Sequence, residues 1–292
     1  MGKRKSIISG LLIAVSLLLT IGCDLTGTND AGYTEVTFLS AEETGGTSST
    51  VDSTGLTLTF DVDPTTSLKA GNIILLGATK GELSGSGTTR NLAISDIIVG
   101  NGATVSVAIM SPSGVLISGL LQTANIYRKI YALRDTGPAG GLIFYDKGAY
   151  SYGWRYLESA PQSTEWTYKE WGDIGTEISG DATLTDIGHG QAATAVIVAH
   201  MEGKSITGTA AQLCDALSVG EYSDWFLPSK DELNAIWTNI VVNGFGGFSR
   251  YYYWSSSEGS SDDAWNQLFD DGGQDSYRKN ISIFCVRAVR AF

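Results

Sequence analysis

The chain has 292 residues, enough for two ordinary domains beyond an N-terminal leader, each able to close its own core. Its formal charge is −12, and subtracting the three positive charges of Lys3, Arg4 and Lys5 leaves −15. That balance excludes the basic stripe nucleic acids reward and a broad electrostatic grip on sulfated glycans or anionic lipid, while 36 glycines against 5 prolines favour turn-rich β architecture over bundles.

The chain opens MGKRKSIISGLLIAVSLLLTIGC: a basic patch, an apolar run from Ile7 to Ile21, and a small residue before Cys23. This resembles a bacterial lipoprotein signal peptide over residues 1–22, although Thr20 stands where leucine is usual and Leu19 lies one step back. A membrane-spanning anchor needs about 20 apolar residues, and this run is shorter and holds Ser16 and Thr20. The resemblance implies that Cys23 is acylated and becomes the mature N-terminus, placing the rest in the cell envelope, lipid-anchored, at the outer membrane or cell surface. Asp24 marks inner-membrane retention in some bacteria, which leaves the leaflet open. Residues 23–32 are short and polar, a tether.

Residues 33–130 alternate apolar and polar side chains between glycine-rich turns. Leu56, Leu58, Phe60 and Val62 share one face, as do Val105, Val107 and Ile109, and Leu92 with Ile94. Further strands are expected at 35–39, 72–76, 115–118 and 123–127. About seven short strands in such a span predict an all-β sandwich of immunoglobulin-like type. The wording LTLTFD followed by GNIILLGATKGELSGSG resembles bacterial immunoglobulin-like repeats of spirochaete surface proteins, which implies a spacer, with an independent binding role as the other reading.

Residues 131–292 form the second predicted domain, α+β, and hold all seven tryptophans. The segment HGQAATAVIVAHM predicts a helix with Ala192, Ala195, Val196 and Ala199 facing inward; GTAAQLCDALS predicts a second. A third begins after Pro228, where Ser229 and Glu232 have capping-box spacing. YYYWSSSE, DAWNQLFD and ISIFCVRAVRAF alternate as strands. In the last of these Cys285, Arg287 and Val289 share one face and Val286, Ala288 and Arg290 the other, and the arginines should be paired, with Glu232 or Glu258 as candidates. With Cys23 assigned to lipid, Cys214 and Cys285 remain either as one disulfide, the natural pairing in an oxidising compartment, or as two buried thiols.

The ordered blocks TGPAGGLIFYD, GWRYLESAP, DWFLPSKDELNAIW, YYWSSSE, AWNQLFDDG and VRAVRAF are similar to the C-terminal domain of the Legionella collagen-like protein and to the Fibrobacter succinogenes major paralogous domain. The resemblance implies a C-type-lectin-like fold related to formylglycine-generating enzymes, and a surface protein of the kind whose collagen-like member is a glycan-binding adhesin. The catalytic cysteine pair of those enzymes is not matched, since only Cys285 lies in the region.

No catalytic constellation stands out, so no enzyme is expected. His189 and His200 lack metal-ligand spacing, Ser255, Ser256 and Ser257 lack a nucleophile elbow, and no carboxylate pair is singled out. No cofactor is implied. Asp262, Asp263, Asp270, Asp271 and Asp275 crowd the last loops, either as solvated turns or as a calcium site. Flat aromatics beside amide and hydroxyl groups are the chemistry of sugar binding, which points to Trp254, Trp265, Asn266 and Tyr277. The leading expectation is an envelope lipoprotein presenting a lectin-like domain to an extracellular glycan or protein ligand. The alternatives are a non-catalytic envelope assembly protein and an enzyme acting on envelope polysaccharide.

Overall fold

A computed structural model of the chain describes residues 33–292. The expected signal peptide, Cys23 with its expected lipidation, and the expected tether before Tyr33 lie outside the described residues.

Eight strands form the N-terminal part: β1 (Thr34–Thr44), β2 (Gly55–Phe60), β3 (Ile73–Leu76), β4 (Thr79–Ser84), β5 (Thr89–Ser95), β6 (Thr104–Ile109), β7 (Val115–Ser118) and β8 (Leu121–Asn125). They make one sheet of order β4-β5-β2-β1-β7 and another of order β3-β6-β8. Alternation decides which side chains meet between them: Leu56, Leu58, Phe60, Leu92, Val105, Val107 and Ile109 are all buried in one core. Val62 is exposed because β2 ends at Phe60. Strand β4 escapes the period-two reading because TKGELS has a single core-packed apolar residue, Leu83, as suits a protected sheet edge.

The second part has its own core. Its strands are β9 (Leu142–Ser151), β10 (Trp154–Ser159), β11 (Trp166–Lys169), β12 (Tyr252–Glu258), β13 (Asp263–Leu268), β14 (Gln274–Arg278), β15 (Phe284–Val286) and β16 (Val289–Ala291). Its helices are α1 (Gly190–Gly203), α2 (Ala210–Asp215) and α3 (Lys230–Ile236). The sheets run β16-β10-β9 and β11-β15-β12-β13-β14. The expected single last strand is split: β15 pairs with β11 and β12, β16 with β10, and the chain changes sheets at Arg287 and Ala288. The ends of the domain therefore meet, with Leu157 opposite Ala291. Among the described residues no helix is long and apolar enough to cross a membrane.

Helix α1 turns a different face inward from the one its sequence suggests. Gly190, Ala193, Thr194, Ile197 and Met201 are buried, while Ala192, Ala195 and Ala199 are exposed. An alanine-rich helix has little amphipathic contrast, so its phase is set by specific bonds. Thr194 Oγ1 accepts from Leu227 N at 2.9 Å and donates to Leu227 O at 3.3 Å. The cap of α3 is as expected: Glu232 N donates to Ser229 Oγ, and Glu232 Oε2 accepts from Ser229 N at 2.7 Å.

The glycine block before β9 wraps a buried carboxylate. Glu158 Oε1 accepts from Gly141 N at 2.7 Å and Oε2 from Ala139 N at 3.3 Å. A Cβ at Gly137 would fall 2.4 Å from the Glu158 carboxyl carbon, and one at Gly141 would fall 1.8 Å from Ser159 O. Gly140 has φ +84° with open space around it. Gly141→Ala is therefore expected to cost about 3 kcal/mol by forcing β9 from β10. Gly140→Ala should cost only about 1 kcal/mol of left-handed strain. Urea unfolding followed by tryptophan emission checks both, since every tryptophan lies between Trp154 and Trp265.

Cys214 and Cys285 are free and buried, so the expected bridge is not formed. The reason is the pleat. Phe284 and Val286 face the core that holds α2 and Cys214, and Cys285 points to the opposite core with Phe144, Phe226 and Tyr253.

Candidate functional site

The residues expected to bind sugar do not form one accessible surface. Trp254 is fully buried, donates from Nε1 to Lys169 O at 2.9 Å, and packs 4.4 Å from the Phe284 ring. Asn266 sits directly opposite it and is buried as well. Trp265 pairs with Ser276 on the other face, with Lys230 Nζ 5.2 Å from its ring. Of the four only Tyr277 is well exposed, at 47%. Correct alternation was not enough: one face of β12 and β13 is covered by the α1 and α2 side of the core, the other by α3.

An open cleft of about 480 Å³ lies instead at the end of α3, within the volume range of small-ligand sites. The helix continues as a π-helical turn, Trp237–Val241, a rare geometry that recurs at functional sites. This turn brings Trp237 against the turn after β13, where Gly272 has φ +83° and a Cβ would lie 2.5 Å from the indole. Gln267 ties the two elements, its Nε2 donating to Asn234 Oδ1 at 2.9 Å and to Gly272 O at 3.0 Å.

The floor is aromatic: Phe248 and Phe269 lie 5.4 Å apart edge to face, and Phe269 stacks on Tyr253 at 4.3 Å. Val242 and Phe245 expose apolar surface at the rim. Across the mouth Arg250 Nη1 donates to Asp270 Oδ1 at 3.2 Å, both groups being solvent-accessible.

The wall formed by residues 244–250 is pinned from beneath by a buried polar network. Tyr253 Oη donates to Glu165 Oε2 at 2.6 Å and accepts from Ser249 N at 2.7 Å. Arg287 Nη2 donates to the same Glu165 oxygen at 2.6 Å, and its Nη1 to Ala160 O and Gly246 O. Its guanidinium lies 4.3 Å from the Phe248 ring. Burial and the Glu165 charge push the Tyr253 hydroxyl up, and the Cys285 thiol up to about 11, so neither supplies an anion at neutral pH. The arginines thus find other partners than expected: Arg287 pairs with Glu165, and Arg290 with Asp224 and Glu158.

The cleft offers stacking surface and one accessible ion pair, with no nucleophile beside a base among its lining residues. Of the five crowded aspartates three hold local partners: Asp270 pairs with Arg250, Asp271 accepts from Gly273 N and Asp275 from Ser276 N. Among the described residues no three His, Cys, Asp or Glu side chains converge to hold a metal. His200 Nε2 lies 2.9 Å from Asp173 Oδ2, which Lys204 Nζ also approaches at 3.7 Å. Sequence reasoning missed Trp237, Phe245, Phe248 and Arg250 as a group; the last three share one signal, the glycine-rich, aromatic segment NGFGGFSR after α3.

The second half of the chain is thus an α+β domain with an aromatic-floored cleft. Residues 154–290, just under half of the chain, match the family described as the Lcl C-terminal domain. The TGPAGG block at 136–141 lies ahead of that match. A search of curated proteins finds no match. Among solved structures the chain is similar to a fimbrial protein from Bacteroides ovatus ATCC 8483 at 9% identity, over 88% of this chain and 70% of that one, with a TM-score of 0.40. That likeness is too slight to bear on fold or function.

Proposed function

We propose that this chain is an envelope lipoprotein, anchored through Cys23 at the outer membrane or cell surface, that presents a non-catalytic ligand-binding domain on a spacer. The observation that carries the reading is the cleft: an aromatic floor, a pinned wall and an Arg250–Asp270 pair across the mouth. Flat apolar faces beside planar hydrogen-bonding groups suit the ring face and hydroxyls of an uncharged glycan. The acidic balance of the chain disfavours sulfated ones.

Three further features support the reading. The strand orders β4-β5-β2-β1-β7 and β3-β6-β8 support an immunoglobulin-like sandwich, with DEBA extended by the parallel edge strand β7 on one side and CFG on the other, which suits a spacer. The pairing of the last strand, β16, with β10 near the start of the C-terminal domain suits a lectin-like fold. The match to the Lcl C-terminal domain points the same way, toward surface adhesion.

The test is a glycan array probed with the full chain, beside Phe245→Ala and Arg250→Ala, two exposed positions whose loss should leave the melting transition in place. Each variant is expected to weaken binding at least about tenfold, the worth of one good contact. Binding retained in both, or no glycan bound by the parent chain, would remove the cleft as a glycan site.

A further inference from the structure

One buried ammonium gathers the irregular loops beside the sheet β11-β15-β12-β13-β14. Lys279 follows β14 and is fully shielded from solvent. Its Nζ donates to Glu258 Oε1 at 2.5 Å, to Thr176 O at 2.9 Å and to Ser261 O at 2.9 Å. Three N–H donors thus meet three oxygen acceptors. The Trp171 ring lies 5.0 Å away. The Glu258 carboxylate also accepts from Ile178 N and Ser179 N. The Lys279 backbone closes the same knot, its N–H donating to Asp262 O and its carbonyl accepting from Trp171 N and Gly172 N.

Lysine normally keeps its head in water and buries only its stem. One carboxylate and two backbone carbonyls around a dry position are instead the donor chemistry of a hard-cation site. We infer that these oxygens form a cation-binding site whose occupant is covalently tethered: the Lys279 ammonium supplies the charge that a dissociable cation would otherwise bring. A free ion would make the order of the 171–179 loop depend on its concentration. A tethered one holds that loop at any ionic composition of the medium. Truncating the side chain exposes the site to small cations from solution.

The experiment uses the full chain and Lys279→Ala, melted by tryptophan emission in EDTA, in calcium chloride, and in propylammonium chloride, which replaces the atoms removed. Tetramethylammonium, too bulky to donate, controls for ionic strength. The parent transition is expected to stay put in all four. The variant should melt roughly 10 °C lower, since Glu258 is left buried without its partner. Propylammonium or calcium should raise it again, saturably. A variant indifferent to both cations, or a parent protein whose transition falls in EDTA, overturns the inference. If Lys279→Ala does not fold, the same cations are added during refolding: a native fraction that depends on them supports the site, and its absence overturns it.

Discussion

Replacing Arg290 by alanine is expected to destabilise the C-terminal domain by about 3–5 kcal/mol, the range for removing one partner of a buried ion pair. The guanidinium forks onto Asp224, with Nε to Oδ1 at 2.8 Å and Nη2 to Oδ2 at 3.0 Å, and Nη1 reaches Glu158 Oε2 at 3.5 Å. Glu158 has no exposed surface, so without Arg290 its charge rests on two backbone N–H groups. The guanidinium also lies 4.2 Å from the Tyr222 ring and 5.1 Å from that of Phe292, packing that is lost with it. One residue of the last strand thereby holds the glycine turn, the β10 carboxylate and the segment before α3 in register. Urea unfolding read by tryptophan emission measures the loss. The double variant Glu158→Gln with Arg290→Met removes both charges and should lose less than Arg290→Ala alone. A loss under about 1 kcal/mol, as for an exposed pair, would show that this cluster does not organise the domain.

Stability of the same domain should fall as pH rises from 5 to 8. Glu232 is fully buried, and burial pushes its carboxyl up to about 7 against the N–H groups of Ser229, Gly188 and Gly190 that favour the charge. Its folded value thus lies above its ordinary 4.5. The folded state binds the proton more tightly than the unfolded chain, so the stability this gives is whole below about 4.5 and is lost as pH rises through about 7. The full span is about 3 kcal/mol. Glu158, pushed up by burial, acts with the same sign. Asp146 and Asp173 act oppositely and elsewhere: their bonds to Arg155 and His200 hold them below the usual carboxylate range, so they stabilise above it and lose that only in strong acid. The midpoint in urea should therefore decline between pH 5 and 8, and Glu232→Gln should flatten most of the slope because glutamine keeps one capping acceptor. A slope unchanged in that variant would assign the pH dependence to another group.

Several features were legible in the sequence because they are local. The capping box at Ser229 and Glu232 needs only spacing three, and the alternation of Leu56, Leu58 and Phe60 needs only the pleat. The facing of the last strand, with Cys285 and Val289 in one core and Val286 and Ala288 in the other, follows from the same period. What failed was every inference about which distant group sits opposite. The arginine partners are Glu165, Glu158 and Asp224 in place of Glu232 and Glu258, because Glu232 serves helix N-termini and Glu258 serves Lys279. Trp254 and Asn266 carry the composition of a sugar site but lie on a covered strand face.

By itself, then, the sequence determined two units of different composition, the alternating strands of the first and the helix start of the second, since each rests on a period, a propensity or a spacing within a few residues. Only the tertiary structure decided which face of α1 turns inward, that Cys214 and Cys285 lie in separate cores, and that Trp237, Phe248, Arg250 and Asp270 surround one cleft. Those outcomes depend on pairings across tens of residues, where a sheet crossover, a π-helical turn or one buried charge selects among arrangements that local pattern leaves equal in energy.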